Sequence, residues 1–270
     1  MGRDILEPSR GTLPGYSVRE SARARRVRLV LSEDGGLEVV VPRRFDRRKI
    51  PGLLESKRAW IERASARIKD RTDARRRRLE ADPPRLPEWI VLPAVGEEWQ
   101  VEYRSRTKRA ASSPKAAASV VRERSGERLV VTGDPDDFDS CRDALCRWLS
   151  RRARRALVPW LEELALKHRL AYGRISIRRQ HSRWASCSQH NTISLNARLL
   201  FLSPDVVEHV LLHELCHTVE MNHSPRFWTL LGYHDPECRI HRRLLRVAWT
   251  DVPTWLDHEP TGPAHPSAIT

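Results

Sequence analysis

The chain has 270 residues, 40% hydrophobic and 31% charged, enough for one large domain or two small ones with a real core. Its formal net charge is +14, and 6 of the 49 basic residues are lysine, which leaves 43 arginines, so polyanions are attracted at moderate salt. No apolar run approaches the roughly 20 residues that span a bilayer, and MGRDILEPSR lacks the pattern of a signal peptide, so no membrane partner and a cytoplasmic location are expected.

Residues 1–15 carry Gly and Pro without periodicity and read as a flexible arm. RVRLVLSEDGGLEVVV (26–41) alternates apolar and polar residues around Asp34-Gly35-Gly36, a hairpin pattern that Pro42 ends. Ile50, Leu53, Leu54, Trp60, Ile61 and Ile68 recur at helical spacing, which places a helix at about 45–80. DPPRLP (82–87) breaks it. Short strands follow at 89–92, 99–103, 118–123 and 128–133, with an exposed loop in SRTKRAASSPKAAA.

A long helix is predicted from about Asp139 to Leu170, with Pro159 inside it. RISIRR (174–179) and TISL (192–195) read as strands. Ser203-Pro204 is an N-cap followed by a first-turn proline, opening a helix to about Val219. Helices at about Pro225–Leu231 and Pro236–Trp249 precede HEPTGPAHPSAIT, a Pro-rich tail. The predicted class is α+β. Residues 16–135 form an N-terminal β-rich region containing the 45–80 helix, residues 136–256 a mainly helical core, and residues 257–270 a disordered tail.

The five cysteines, Cys141, Cys146, Cys187, Cys216 and Cys238, have no CxxC spacing, so buried reduced thiols are expected. The basic runs at 22–28, 43–49, 74–78 and 151–155 read mainly as solvated faces, with nucleic-acid association as a further possibility.

The chemistry concentrates in HELCHTVEMNHSPRFW (213–228). His213 and His217 are four residues apart and share a helix face, so both imidazoles can reach one zinc ion. Glu214 points about 100° around the helix, where a general base can reach a water beside that ion. A hydrolytic zinc site takes three protein ligands. The third candidate is His223, which requires the chain to reverse, and Asn222 in a left-handed conformation is the expected means. Glu220 is a weaker third candidate. His181, His190, His209, His234 and His241 read as surface or core residues, and Arg183, His181 and Tyr233 are candidate oxyanion donors.

The segment resembles the signature of YgjP-like metal-dependent hydrolases, HELxHxxxxNHSxxFW. Upstream, RRQHSRWASCSQHNTISLNARLLFLSPDVVEHVLLHE is similar to that family's RWGSCS motif, strand and Pro-started helix, with Ala185 in place of the usual glycine. The hairpin at 26–41 and KRAWI (57–61) also fit, so the resemblance extends over roughly 16–256. It implies a zincin-like C-terminal half, with the HExxH helix beside a small sheet. It further implies His213, His217 and His223 as Zn2+ ligands and Glu214 as the catalytic glutamate. Arg183, Trp184 and Ser186 match the second motif. That stretch reads as an edge strand able to bind an extended peptide, with Cys187 as packing. The implied activity is a metallopeptidase acting on peptide or protein. A nucleoside triphosphate pyrophosphatase using the same metal site, and a DNA-associated SprT-like protease using the basic surface, are the alternatives.

Overall fold

The computed structural model describes residues 4–6 (backbone), 15–22, 24–32, 36–105, 119–180 and 182–257. These divide into two compact units, whose boundary in sequence falls at Pro83–Pro84 inside the DPPRLP break.

The first unit holds β1 (Asp4–Leu6), β2 (Tyr16–Ser21), β3 (Arg28–Leu31) and β4 (Leu37–Pro42) in the sheet order β1-β2-β4-β3. The expected hairpin is present: β3 and β4 pair antiparallel, and the Ser32 N–H donates to the Gly36 carbonyl at 2.9 Å. Asp4–Leu6, within the stretch read as an arm, pair with β2, and β2 lies parallel to β4. The rest of that stretch up to residue 14, and hairpin residues 33–35, lie outside the described residues.

The predicted 45–80 helix is two helices, α1 (Ile50–Ser56) and α2 (Arg58–Ala81). They are separated at Lys57, whose N–H is shared between the Leu53 and Leu54 carbonyls. The unit's core is Val18, Leu31, Leu37, Val39, Val41, Ile50, Leu54 and Ile61. Ile61 is the one buried residue of α2, and its arginine-rich second half holds only exposed and half-buried residues.

The second unit begins with β5 (Trp89–Leu92), β6 (Glu97–Arg104), β7 (Val120–Arg124) and β8 (Arg128–Thr132), in the order β5-β6-β8-β7. The helix α3 (Phe138–His168) runs through Pro159 and buries Leu145, Trp148, Leu149, Leu157, Leu161 and Leu164 at three- and four-residue spacings. The Asp137 carboxylate caps it by accepting the Ser140 N–H. A three-stranded sheet follows, β10 (Ala185–Cys187), β11 (Thr192–Asn196) and β9 (Arg174–Arg178) in that order, with β10 antiparallel and β9 parallel to β11. The remaining helices are α4 (Pro204–Cys216), α5 (Pro225–His234) and α6 (Cys238–Val247). One continuous apolar core joins β5–β8, α3, the three-stranded sheet and α4.

The mixture of small sheets and helices is α+β. No helix among the described residues is long and apolar enough to cross a membrane. The tail expected at 257–270 lies outside the described residues from 258 onward, as do His181 and all but Ser105 of the 105–118 loop.

Candidate metal centre

The site is built from one helix and the chain reversal after it. Ser203, in extended conformation, and Pro204 start α4 as expected. Val206, Val207, Val210, Leu211 and Leu215 bury its apolar side. That anchoring turns His213 and His217, one turn apart, to the same face, and their Nε2 atoms lie 3.1 Å from one another.

The helix ends at Cys216, three residues before the predicted Val219. The expected left-handed Asn222 is not found: the non-glycine residues with positive φ among the described residues are Arg44, Glu127, Arg169 and Asn191. The chain instead closes through two 3-10-type bonds and one α-type bond. Thr218 N–H donates to Leu215, and the Val219 and Glu220 N–H groups both donate to the Cys216 carbonyl. Glu220 contributes its backbone, because the Nδ1 of His217 donates to the Glu220 carbonyl at 3.1 Å.

The motif NHSPRFW then reads as a helix start. Ser224 is the N-cap of α5 and accepts the Phe227 N–H, and Pro225 takes the first helical position. His223 precedes the cap and Trp228 is the fourth helical residue, the two positions of a hydrophobic staple. Their rings stack with centroids 5.5 Å apart and planes at 24°. Phe227, fully buried, stacks on His217 at 4.5 Å. The result brings His223 Nε2 to 3.1 Å from His213 Nε2.

These three imidazoles suit a divalent metal ion. Their ligand atoms all lie within 4.8 Å of one another. Nitrogens bound tetrahedrally at about 2.0–2.1 Å stand about 3.3 Å apart, close to the spacing here. A neutral imidazole carries one N–H, and in His217 that proton is on Nδ1 toward Glu220, so its Nε2 lone pair faces the cluster. Burial lowers the pKa of all three rings; the neighbouring histidines and, less, Arg242 add to it for His213, taking it down to about 2, while His223 adds to it for His217 and Arg242 for His223. Neutral rings are the form that binds metal.

Glu214, next to His213 in sequence, is 6% exposed, and among the described residues its Oε2 has no hydrogen-bond partner. Burial pushes its carboxyl up to about 8, against the opposing influence of the Arg183 charge. On β10, burial and the Glu214 charge raise the Cys187 thiol to about 11, so it remains a thiol at neutral pH. Packing of α4 against β10 brings these groups together.

The second motif is fixed by a residue that the sequence reading did not single out. Asn196, buried at the end of β11, donates through Nδ2 to the carbonyls of Gln180 (2.6 Å) and Arg183 (2.9 Å), while its N–H donates to Trp184. This fixes the Arg183 backbone, whose side-chain charge acts on Glu214. The Trp184 side chain is buried and stacks on Trp249 at 4.0 Å, inside the core. Ser186 is half-buried in β10, opposite Ser194. Tyr233 is 82% exposed on α5.

A second polar cluster lies one turn before His213. Asp235 accepts from His209 Nδ1 at 2.5 Å, from His241 Nδ1 at 3.1 Å and from the Glu237 N–H at 3.1 Å. A nitrogen and an oxygen bound to one ion at about 2 Å each stand roughly 3 Å apart. The His209–Asp235 contact is shorter, a charge-assisted hydrogen bond that joins α4, α5 and α6. The sequence carried a signal for it: His209, His213 and His217 recur every four residues on one face.

A family model described as "YgjP-like, metallopeptidase domain" matches residues 25–248. No curated protein sequence matches the chain. Among solved structures, the crystal structure of the metallopeptidase zymogen of Methanocaldococcus jannaschii jannalysin is similar at 22% identity, over 33% of this chain and 91% of that one, with a TM-score of 0.29.

Proposed function

This chain belongs to the YgjP-like metallopeptidase family of metal-dependent hydrolases, and from that premise we propose that it is a zinc-dependent peptidase whose metal is held by His213, His217 and His223 and whose general base is Glu214. The observation that carries the reading is the convergence of three Nε2 atoms beside a buried carboxylate with an unengaged oxygen. Three neutral imidazoles leave a tetrahedral ion one open position, the arrangement of catalytic zinc. When bound, the ion supplies Lewis acidity toward a carbonyl oxygen and acidifies water.

The chain's own residues supply the rest. In its ionised form, which a cation bound by the three imidazoles would favour against the burial that raises its pKa, Glu214 accepts the proton of the attacking water at its carboxylate and delivers it to the departing amine nitrogen. Its buried setting keeps bulk water from competing for that proton. Arg183, whose backbone is held by Asn196, offsets through its charge the negative charge that develops beside Glu214. β10 is the outer strand of its sheet and packs on α4, so an extended substrate can pair with it and lie across the imidazoles. Trp184 supports this edge from the core, where it stacks on Trp249.

The test is a parallel assay of an unstructured protein, nucleoside triphosphates and DNA-bound protein, with wild type and Glu214→Gln, alongside bound-metal analysis. The expected result is zinc-dependent cleavage of the unstructured protein that the substitution removes while metal is retained. Hydrolysis of nucleoside triphosphates with no cleavage of protein would overturn the peptidase reading.

A further inference from the structure

We propose that Arg242 of α6 is a positioning residue for the metal centre, holding the His223 imidazole in place through Trp228. The inference rests on the reading of His223 as the third ligand.

The two outer imidazoles are oriented by different means. His217 is fixed by a hydrogen bond from Nδ1 to the Glu220 carbonyl. His223 is exposed, precedes its helix, and among the described residues has no hydrogen bond at Nδ1. Its orientation therefore depends on ring packing, in which the stacked contact with Trp228 sets the plane.

Trp228 is in turn held from α6. The Arg242 guanidinium lies over the indole, 3.9 Å from the ring centroid, a close cation–π contact. Arg242 has little freedom to drift, because the preceding residue, His241, is bonded to Asp235, which also receives His209 from α4. α6 thus reaches the centre by two routes, one to the turn of α4 before His213 and one to Trp228 behind His223. Loss of Arg242 frees the indole, and the imidazole stacked on it samples orientations in which Nε2 points away from the other two.

Zinc affinity is measured by competition with a chromophoric chelator on the full chain, with the thermal midpoint of each metal-free protein as control. Groups that orient ligands typically change metal affinity roughly 10–100-fold. Arg242→Met, which keeps the apolar stem, is expected to weaken zinc binding about 10-fold while the metal-free midpoint stays at the wild-type value. Arg242→Lys, which keeps a cation over the ring, is expected to restore most of the loss. In a His223→Ala background, Arg242→Met is expected to add nothing further, since its effect passes through that ring. Unchanged affinity in Arg242→Met, or an equal loss with and without His223, would overturn the proposal while leaving the three-histidine site intact. Wild-type protein that binds no stoichiometric zinc, or His217→Ala that binds it as tightly as wild type, would overturn both.

Discussion

The imidazole of His217 donates through Nδ1 to the backbone carbonyl of Glu220, 3.1 Å away. Glu220 lies in the chain reversal after α4 and is used there for its main chain. Its side chain is not part of the three-imidazole group. Glu220→Ala is therefore expected to retain zinc at close to wild-type affinity, whereas His223→Ala should lose more than about 100-fold, beyond the usual effect of outer-shell partners. Chelator competition reads both. The opposite ranking would make Glu220 the ligand and refute the assignment of His223.

Glu214 offers a cleaner separation of binding from chemistry. Among the described residues its Oε2 has no hydrogen-bond partner, and its side chain is buried, so Glu214→Gln replaces one group by another of the same shape. Loss of a positioned general base typically costs about 10²–10⁴-fold in rate. We expect kcat on an unstructured protein to fall by that order, with metal content and thermal midpoint held. A variant that cleaves at the wild-type rate would remove Glu214 from the mechanism.

The grouping of residues at the candidate site was legible in sequence because its determinants are local. The four-residue interval of His213 and His217, the Ser203-Pro204 start, and Phe227 and Trp228 just after His223 all act within a few turns of chain. The reversal between Cys216 and Ser224 was not legible, since Asn222 was the residue with a known turn preference and the chain closed through backbone bonds to Leu215 and Cys216 instead. β2 was missed for a related reason. In YSVRES only Val18 is buried, and the strand exists because β4 offers it a parallel partner about 20 residues away in sequence. Asn196 and Asp235 are single polar residues whose importance lies wholly in which distant groups reach them.

Asp235 carries a stability prediction of its own. Its carboxylate is buried and accepts from two imidazoles and one backbone N–H. Asp235→Ala leaves a fully buried His209 without its acceptor. Each stranded buried group costs about 1–3 kcal/mol, so the metal-free protein is expected to lose on the order of 2–4 kcal/mol. Denaturant titration measures this. A loss under about 0.5 kcal/mol, the range of ordinary surface substitutions, would show that the knot does not bind the helices together.

The last prediction concerns acid. His168 ends α3 and His234 ends α5, and their Nδ1 atoms are 2.8 Å apart, so one neutral ring donates to the other. Burial lowers the pKa of both from 6.5. Lys167 adds to this for His168, with Glu208 acting weakly the other way, and His168 adds to it for His234. In the unfolded chain both titrate near 6.5, so between that value and the lowered ones the unfolded state binds more protons than the folded state. Stability therefore rises with pH through this window and falls as pH drops below about 6.5. The unfolding free energy of the metal-free protein is expected to decline from pH 7 to pH 5, and His234→Asn should make that decline shallower, because one of the two opposed imidazoles is gone. Parallel pH profiles for wild type and His234→Asn would show that the pair carries no such linkage.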